Sequence, residues 1–140
     1  MFVHYVVAED LEGRQPPSFS KDVVYENPTW ETVETMIRRL DGDKRSYLMM
    51  AASLEDLAEK MLSIGGGQNG IYICFYYDGD EYNLHNPLCD SEEEIDVFMG
   101  ELSRRSRKEC VDLDLVLLAA KTFFEKGILD QRLEWHRQEL

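Results

Sequence analysis

Long apolar runs are missing from this 140-residue sequence, and nothing in it approaches the roughly 20 consecutive apolar residues that a membrane-spanning helix requires. A leader pattern is missing too, because the opening Met1-Phe2-Val3-His4 has no basic stretch followed by an apolar one. The expectation is a cytoplasmic protein with no membrane partner. Cysteine is scarce: Cys74, Cys89 and Cys110 are odd in number and widely spaced, unlike a disulfide framework or a paired-cysteine zinc element, so reduced thiols are expected. Basic residues are few, 15 Lys and Arg against 28 Asp and Glu, which leaves a formal net charge of −13. Such a field repels phosphate backbones and argues against direct nucleic-acid binding, while it speeds encounter with a basic partner. Acidity also serves plain solubility, and composition by itself favours that simpler reading.

What is present suits a folded chain. Hydrophobic residues at 44% and aromatics at 11% supply a core, so the charge does not impose disorder. The length fits one domain over residues 1–140, burying roughly two thirds of the surface its unfolded chain exposes.

Residues 2–7 read as a first strand, Glu12 to Ser20 with Gly13, Pro16 and Pro17 as a loop, and a second extended segment starts near Val23. Asn27 or Thr29 caps a helix carrying Trp30, Val33, Ile37 and Leu40 at helical spacing, which Gly42 stops. Ser46 to Ala51 reads as a strand, and Ser53 with Asp56 three residues on opens a short helix. The chain is extended again from Met61 to Ile64. Gly65-Gly66-Gly67-Gln68-Asn69-Gly70 then supplies the positive φ angles of a tight hairpin.

Ile71 to Tyr77 is apolar on both alternating faces and reads as a central strand; Asp78-Gly79 turns it into Glu81 to His85. Glu94 to Met99 alternates as a further strand, and Lys108 to Val111 reads as an edge strand. Asp112 or Asp114 then caps a helix containing Leu113, Val116, Leu117, Ala120, Phe123 and Phe124, ended by Gly127, which covers the sheet. The predicted fold is α+β: a mainly antiparallel sheet packed by two main helices, at about 29–40 and 113–126.

Few residues offer chemistry. The Gly65–Gly67 run lacks the Lys and Ser/Thr of a phosphate loop and leads into a strand, so a hairpin explains it better. His4, His85 and His136 lie far apart, with none of the short spacings that seat two imidazoles on one ion, and neither a metal nor a cofactor is expected. His85 and Cys89, four apart, are the nearest thing to a base and a nucleophile, but Asn86-Pro87 between them reads as a turn and nothing orients the pair. Zinc deaminases need a His-x-Glu and a Pro-Cys-x-x-Cys element, which His85-Asn86-Pro87 and Cys89 do not provide. No catalytic residue is assigned.

One charge feature stands out. Asp78, Asp80, Glu81, Asp90, Glu92, Glu93, Glu94 and Asp96 are eight acids in a stretch without Lys or Arg. Held on hairpins, they present carboxylates to a basic enzyme surface, or they simply solvate loops; the sequence leaves both open. Arg104, Arg105, Arg107 and Lys108 follow as a basic cluster that balances the patch better than it binds anions.

Three segments in order carry a resemblance. Asn27-Pro28-Thr29-Trp30-Glu31 opens a helix and Ser63-Ile64-Gly65-Gly66-Gly67 precedes an aromatic strand. Ala119-Ala120-Lys121-Thr122-Phe123-Phe124-Glu125-Lys126-Gly127 then closes toward Leu133-Glu134-Trp135. Over roughly residues 23–136 the chain resembles the immunity protein 1 family of bacterial polymorphic toxin systems. The resemblance implies a protein made to protect a toxin's owner, in a family associated notably with nucleic-acid deaminase toxins. The closing stretch is similar to that of an immunity protein for a double-stranded-DNA cytosine deaminase. The helix-like segment from Ser53 to Lys60 departs from the direct strand pair the family pattern implies.

Of the family residues, Trp30, Gly65, Gly66, Gly67, Phe124 and Trp135 read as fold-determining, the aromatics for a core and the glycines for the turn. The expected partner is a basic, nucleic-acid-modifying toxin domain, occluded by acidic groups and aromatic anchors. Asp78, Asp80, Glu81, Tyr82, Glu92, Glu93 and Glu94 are the candidate contacts. The competing readings are an acidic regulatory or adaptor domain without a toxin, and a small enzyme with an unrecognised site; a toxin gene beside this one separates the first of these from an immunity protein.

Overall fold

Period-2 patterning forms most of the strands and 3.6-residue patterning forms two helices. The computed structural model describes residues 1–10 and 22–138. In chain order these hold β1 (Tyr5–Glu9), β2 (Asp22–Glu26), α1 (Trp30–Arg38), β3 (Tyr47–Ala51), β4 (Met61–Gly66), β5 (Tyr72–Tyr77), β6 (Glu81–Leu84), β7 (Glu94–Met99), β8 (Glu101–Ser106), α2 (Leu113–Lys126) and β9 (Trp135–Arg137). Seven strands form one sheet in the order β2-β1-β3-β4-β5-β6-β9, every neighbour antiparallel, while β7 and β8 form a separate hairpin. The fold is α+β, as the sequence predicts.

Both helices lie on one face of the sheet. Thr29 caps α1, its hydroxyl accepting from the Thr32 N–H, and Asp112 caps α2 by accepting from the Leu115 N–H. Val33 and Ile37 of α1 and Val116, Ala119, Ala120, Phe123 and Phe124 of α2 bury against Val6, Leu48, Met50, Leu62, Ile64, Tyr76 and Leu84 of the strands. Phe123 sits at the centre, fully buried, with Phe2 and Tyr76 edge-on to it at centroid distances of 5.5 and 5.9 Å. The opposite face of the sheet carries a smaller cluster of Ile73, Val97 and Cys110, with Ile71, Ile95 and Met99 around it. The β7–β8 hairpin covers that face, and β5 is apolar on both sides because both faces of it are covered.

Several expectations need correction. The first strand is Tyr5–Glu9, not residues 2–7: Phe2 and Val3 instead donate their N–H groups to the Phe124 carbonyl at 2.9 and 3.1 Å and pack against the end of α2. The loop expected from Glu12 to Ser20 lies outside the described residues. Helix α1 ends at Arg38, before Gly42. The short helix after Ser53 is a single 3-10 turn, Glu55–Ala58; the Asp56 N–H donates to the Ser53 hydroxyl at 3.1 Å, and β3 and β4 still pair directly across it.

The glycine run is not all turn. Gly65 and Gly66 belong to β4, paired with Ile73 and Tyr72, and the reversal begins at Gly67. Gly65 has its own reason to lack a side chain, since a Cβ there would come within 2.4 Å of the Met99 Cγ where the hairpin crosses the sheet. At Gly67, φ is +108° and a Cβ would meet the Leu40 carbonyl oxygen at 2.3 Å. The edge strand expected over Lys108–Val111 is absent: Arg107–Glu109 winds into a 3-10 turn and only Val111 bridges, to Tyr72.

Candidate functional site

The acidic stretch divides into two groups. Asp78 and Asp80 sit exposed on the β5–β6 turn, where the Asp80 N–H donates to the Asp78 carboxylate at 3.3 Å. Asp80 also meets the Arg137 guanidinium at 2.9 Å, whereas among the described residues Asp78 and Glu81 make no ion pair. Tyr82 lies half-buried beside them, its ring 6.0 Å from that of Tyr76. Burial, and after it the nearby Asp78 carboxylate, push the Tyr76 phenol up to about 12.

Glu92, Glu93 and Glu94 belong to the hairpin, and there the basic cluster meets them. Lys108 lies 3.1 Å from Glu92, Arg107 3.6 Å from Glu93, and Arg104 reaches both Glu94 at 3.8 Å and Asp96 at 3.6 Å. The pairing follows from register: Asp96 stands opposite Arg104 and Glu94 opposite Ser106 on the outward face of β7–β8. Each of these exposed pairs contributes only about 0–1 kcal/mol, so they hold little of the fold together. Their effect is to cancel much of the local field. The two groups of acids therefore ride on different elements, the turn group with Tyr82 on the main sheet and the other on the hairpin, and only the turn group keeps most of its charge.

The residues expected to determine the fold are spread through it. Trp30 packs its ring 5.7 Å from that of Phe124, joining the start of α1 to α2. The Trp135 indole N–H donates to the Asp130 carbonyl at 3.0 Å. Asp130 itself, 3% exposed, accepts from the Thr122 hydroxyl at 2.7 Å and from Arg132 Nε at 2.9 Å and Nη2 at 2.5 Å. The Arg132 guanidinium holds its carboxyl well below the usual carboxylate range. Sequence spacing carries no sign of this knot, because Thr122, Asp130 and Trp135 converge only where the chain turns back after α2.

The histidines require the clearest correction. His85 and His136 are remote in sequence, yet their rings stack with centroids 4.2 Å apart. β6 pairs with β9, so that Asn83 faces His136 and the His85 N–H donates to the Glu134 carbonyl at 2.8 Å. The Glu134 carboxylate then lies 3.4 Å from His85 Nδ1 and 3.4 Å from His136 Nε2. The missed signal was β9 itself, three residues too short to show a pattern.

Nothing pairs His85 with Cys89. The Cys89 N–H closes a turn onto the Asn86 carbonyl at 3.2 Å, and the contacts of His85 go to β9. Burial pushes the Cys74 thiol up and the Cys110 thiol to about 11, so both stay protonated and unreactive at neutral pH. No described helix is long and apolar enough to cross a membrane.

The family model for immunity protein Imm1 matches residues 20–137. No curated protein matches the chain.

Proposed function

The chain belongs to the immunity protein Imm1 family, and from that membership we propose that it protects its host by binding one nucleic-acid deaminase toxin and occluding that toxin's active site, with no catalysis of its own. The carrying observation is the match over residues 20–137, which makes the chain an immunity protein with a cognate toxin as partner. The net charge of −13 supports a basic partner, because an enzyme that grips nucleic acid presents Lys and Arg where phosphates bind.

Asp78, Asp80, Glu81 and Tyr82 form the leading contact, with three carboxylates for steering and one half-buried aromatic as an anchor. Glu92, Glu93 and Glu94 contribute less, since their charge is already met by Arg104, Arg107 and Lys108. Occlusion means that toxin-bound nucleic acid and this chain exclude one another. The encounter belongs in the cytoplasm, where a toxin that acts on nucleic acid meets its substrate.

The test is to purify the toxin domain encoded beside this chain and to analyse DNA and RNA exposed to it for uracil and inosine. Deaminated bases that disappear on adding the chain, with excess substrate slowing complex formation, are the expected result. A toxin of another chemistry would remove the deaminase assignment, and simultaneous binding of substrate and chain would remove occlusion.

A further inference from the structure

Antiparallel register puts four polar residues on one face at the edge of the sheet: Asn83 and His85 from the β6 side, Glu134 and His136 from the β9 side. Three of them converge. One ligand atom from each of His85, Glu134 and His136 lies within 4.8 Å of the others. His85 is the fixed member, its side chain only 12% exposed and its Nδ1 shielded from water without a hydrogen-bond partner. A buried ring nitrogen in that state is costly unless something satisfies it. The carboxylate 3.4 Å away is misdirected for a hydrogen bond, but its separation matters.

A tetrahedral ion bound at 2.0–2.1 Å holds neighbouring ligand atoms about 3.3 Å apart. Glu134 stands 3.4 Å from each imidazole, through Oε2 to His85 Nδ1 and through Oε1 to His136 Nε2. The remaining gap, between the two rings, closes by rotation of His136, whose side chain is 57% exposed and which gives up its stacking on His85 as it turns. Two imidazoles and one carboxylate suit zinc, copper or nickel rather than magnesium or calcium, which take oxygen ligands.

We propose that His85, Glu134 and His136 bind a single divalent transition ion of the zinc class, with water in the fourth position, and that the ion fastens the three-residue strand β9 to β6. Glu134 and His136 flank Trp135, so the ion grips β9 on the face opposite the one that packs into the core. All three ligands come from this chain, so the site needs no toxin to be complete.

The experiment uses the untagged full chain, stripped with a chelator and then titrated with zinc chloride by calorimetry and with cobalt chloride by absorbance, alongside thermal melts. One ion per chain is expected, with a higher melting temperature on zinc addition. His136→Ala and Glu134→Gln, both at exposed positions, lower the affinity by at least about tenfold and abolish the melting shift, while His4→Ala changes neither. Absence of binding up to millimolar zinc, or equal binding by His136→Ala and Glu134→Gln, overturns the site. An intense sulfur-to-cobalt band in the near ultraviolet overturns it as well, because that places the ion on Cys89.

Discussion

The two faces of the seven-stranded sheet are held by different physics. On the helix face, Phe123, Ile37, Leu48, Met50, Leu62, Ile64 and Leu84 are at most 1% exposed and interlock with α1 and α2. On the other face, Ile73, Val97 and Cys110 make a small cluster, and the hairpin comes close only because Gly65 leaves room for Met99. The outer surface of that hairpin is a zipper of opposite charges. The helix face thus carries most of the buried apolar packing, and the hairpin that covers the other face turns its own outer side to solvent. The comparison also divides the acidic stretch, whose first part rides on the main sheet with most of its charge intact and whose second part rides on the hairpin, largely neutralised.

The sharpest way to break this comparison is through the core. Phe123→Ala should cost about 3–5 kcal/mol of unfolding free energy, as expected for a fully buried aromatic, and urea denaturation followed by circular dichroism will read it. Asp130→Asn comes next, at about 1–3 kcal/mol, because it removes a charged hydrogen-bonding centre behind α2. Its pH signature is specific. The folded carboxyl lies below its unfolded value of about 3.9, so its contribution is present above that pH and lost as pH falls below it. The stability gap between the wild-type chain and Asp130→Asn should be constant from pH 5 to 7 and shrink below pH 4.

Val97→Ala tests the other face. Loss of two methyl groups from the small cluster should cost about 1.5 kcal/mol, at most about half the effect of Phe123→Ala, with the helix-face aromatics still ordered in the near-ultraviolet spectrum. If it unfolds the chain as Phe123→Ala does, the two faces are one cooperative core and the distinction fails. The smallest effects belong to charge. Neutralising Asp78, Asp80 and Glu81 together should slow association with the toxin about tenfold at low salt, whereas neutralising Glu92, Glu93 and Glu94 should slow it about twofold or less. Stopped-flow mixing distinguishes these, and equal effects would mean that the hairpin ion pairs open on binding.

The helices and β5 were legible because each has a strong local cause: caps at Thr29 and Asp112, a helical stripe, or an unbroken apolar run. β8 was not, because Glu101-Leu102-Ser103-Arg104-Arg105-Ser106 has no apolar alternation, and its extended form comes from pairing with β7. Lys108–Val111 misled in the opposite sense, since its apolar end serves one bridge to Tyr72 after a 3-10 turn. Gly65 was recognised as special for the wrong reason; the need is for close packing against Met99, a contact 34 positions away. The acidic candidates were visible as composition, but which of them are cancelled depends on register between β7 and β8. The approach of His85 to His136 was invisible for the same kind of reason, as it depends on the pairing of β6 with a strand of three residues.

The central claim is that this chain silences one toxin by stoichiometric binding. The most direct measurement is to titrate the purified toxin domain encoded beside it with the purified chain, following toxin activity and complex formation together. Activity should fall linearly to zero at one equivalent as a 1:1 complex forms, and full activity in the presence of excess chain, with no complex, would contradict the account.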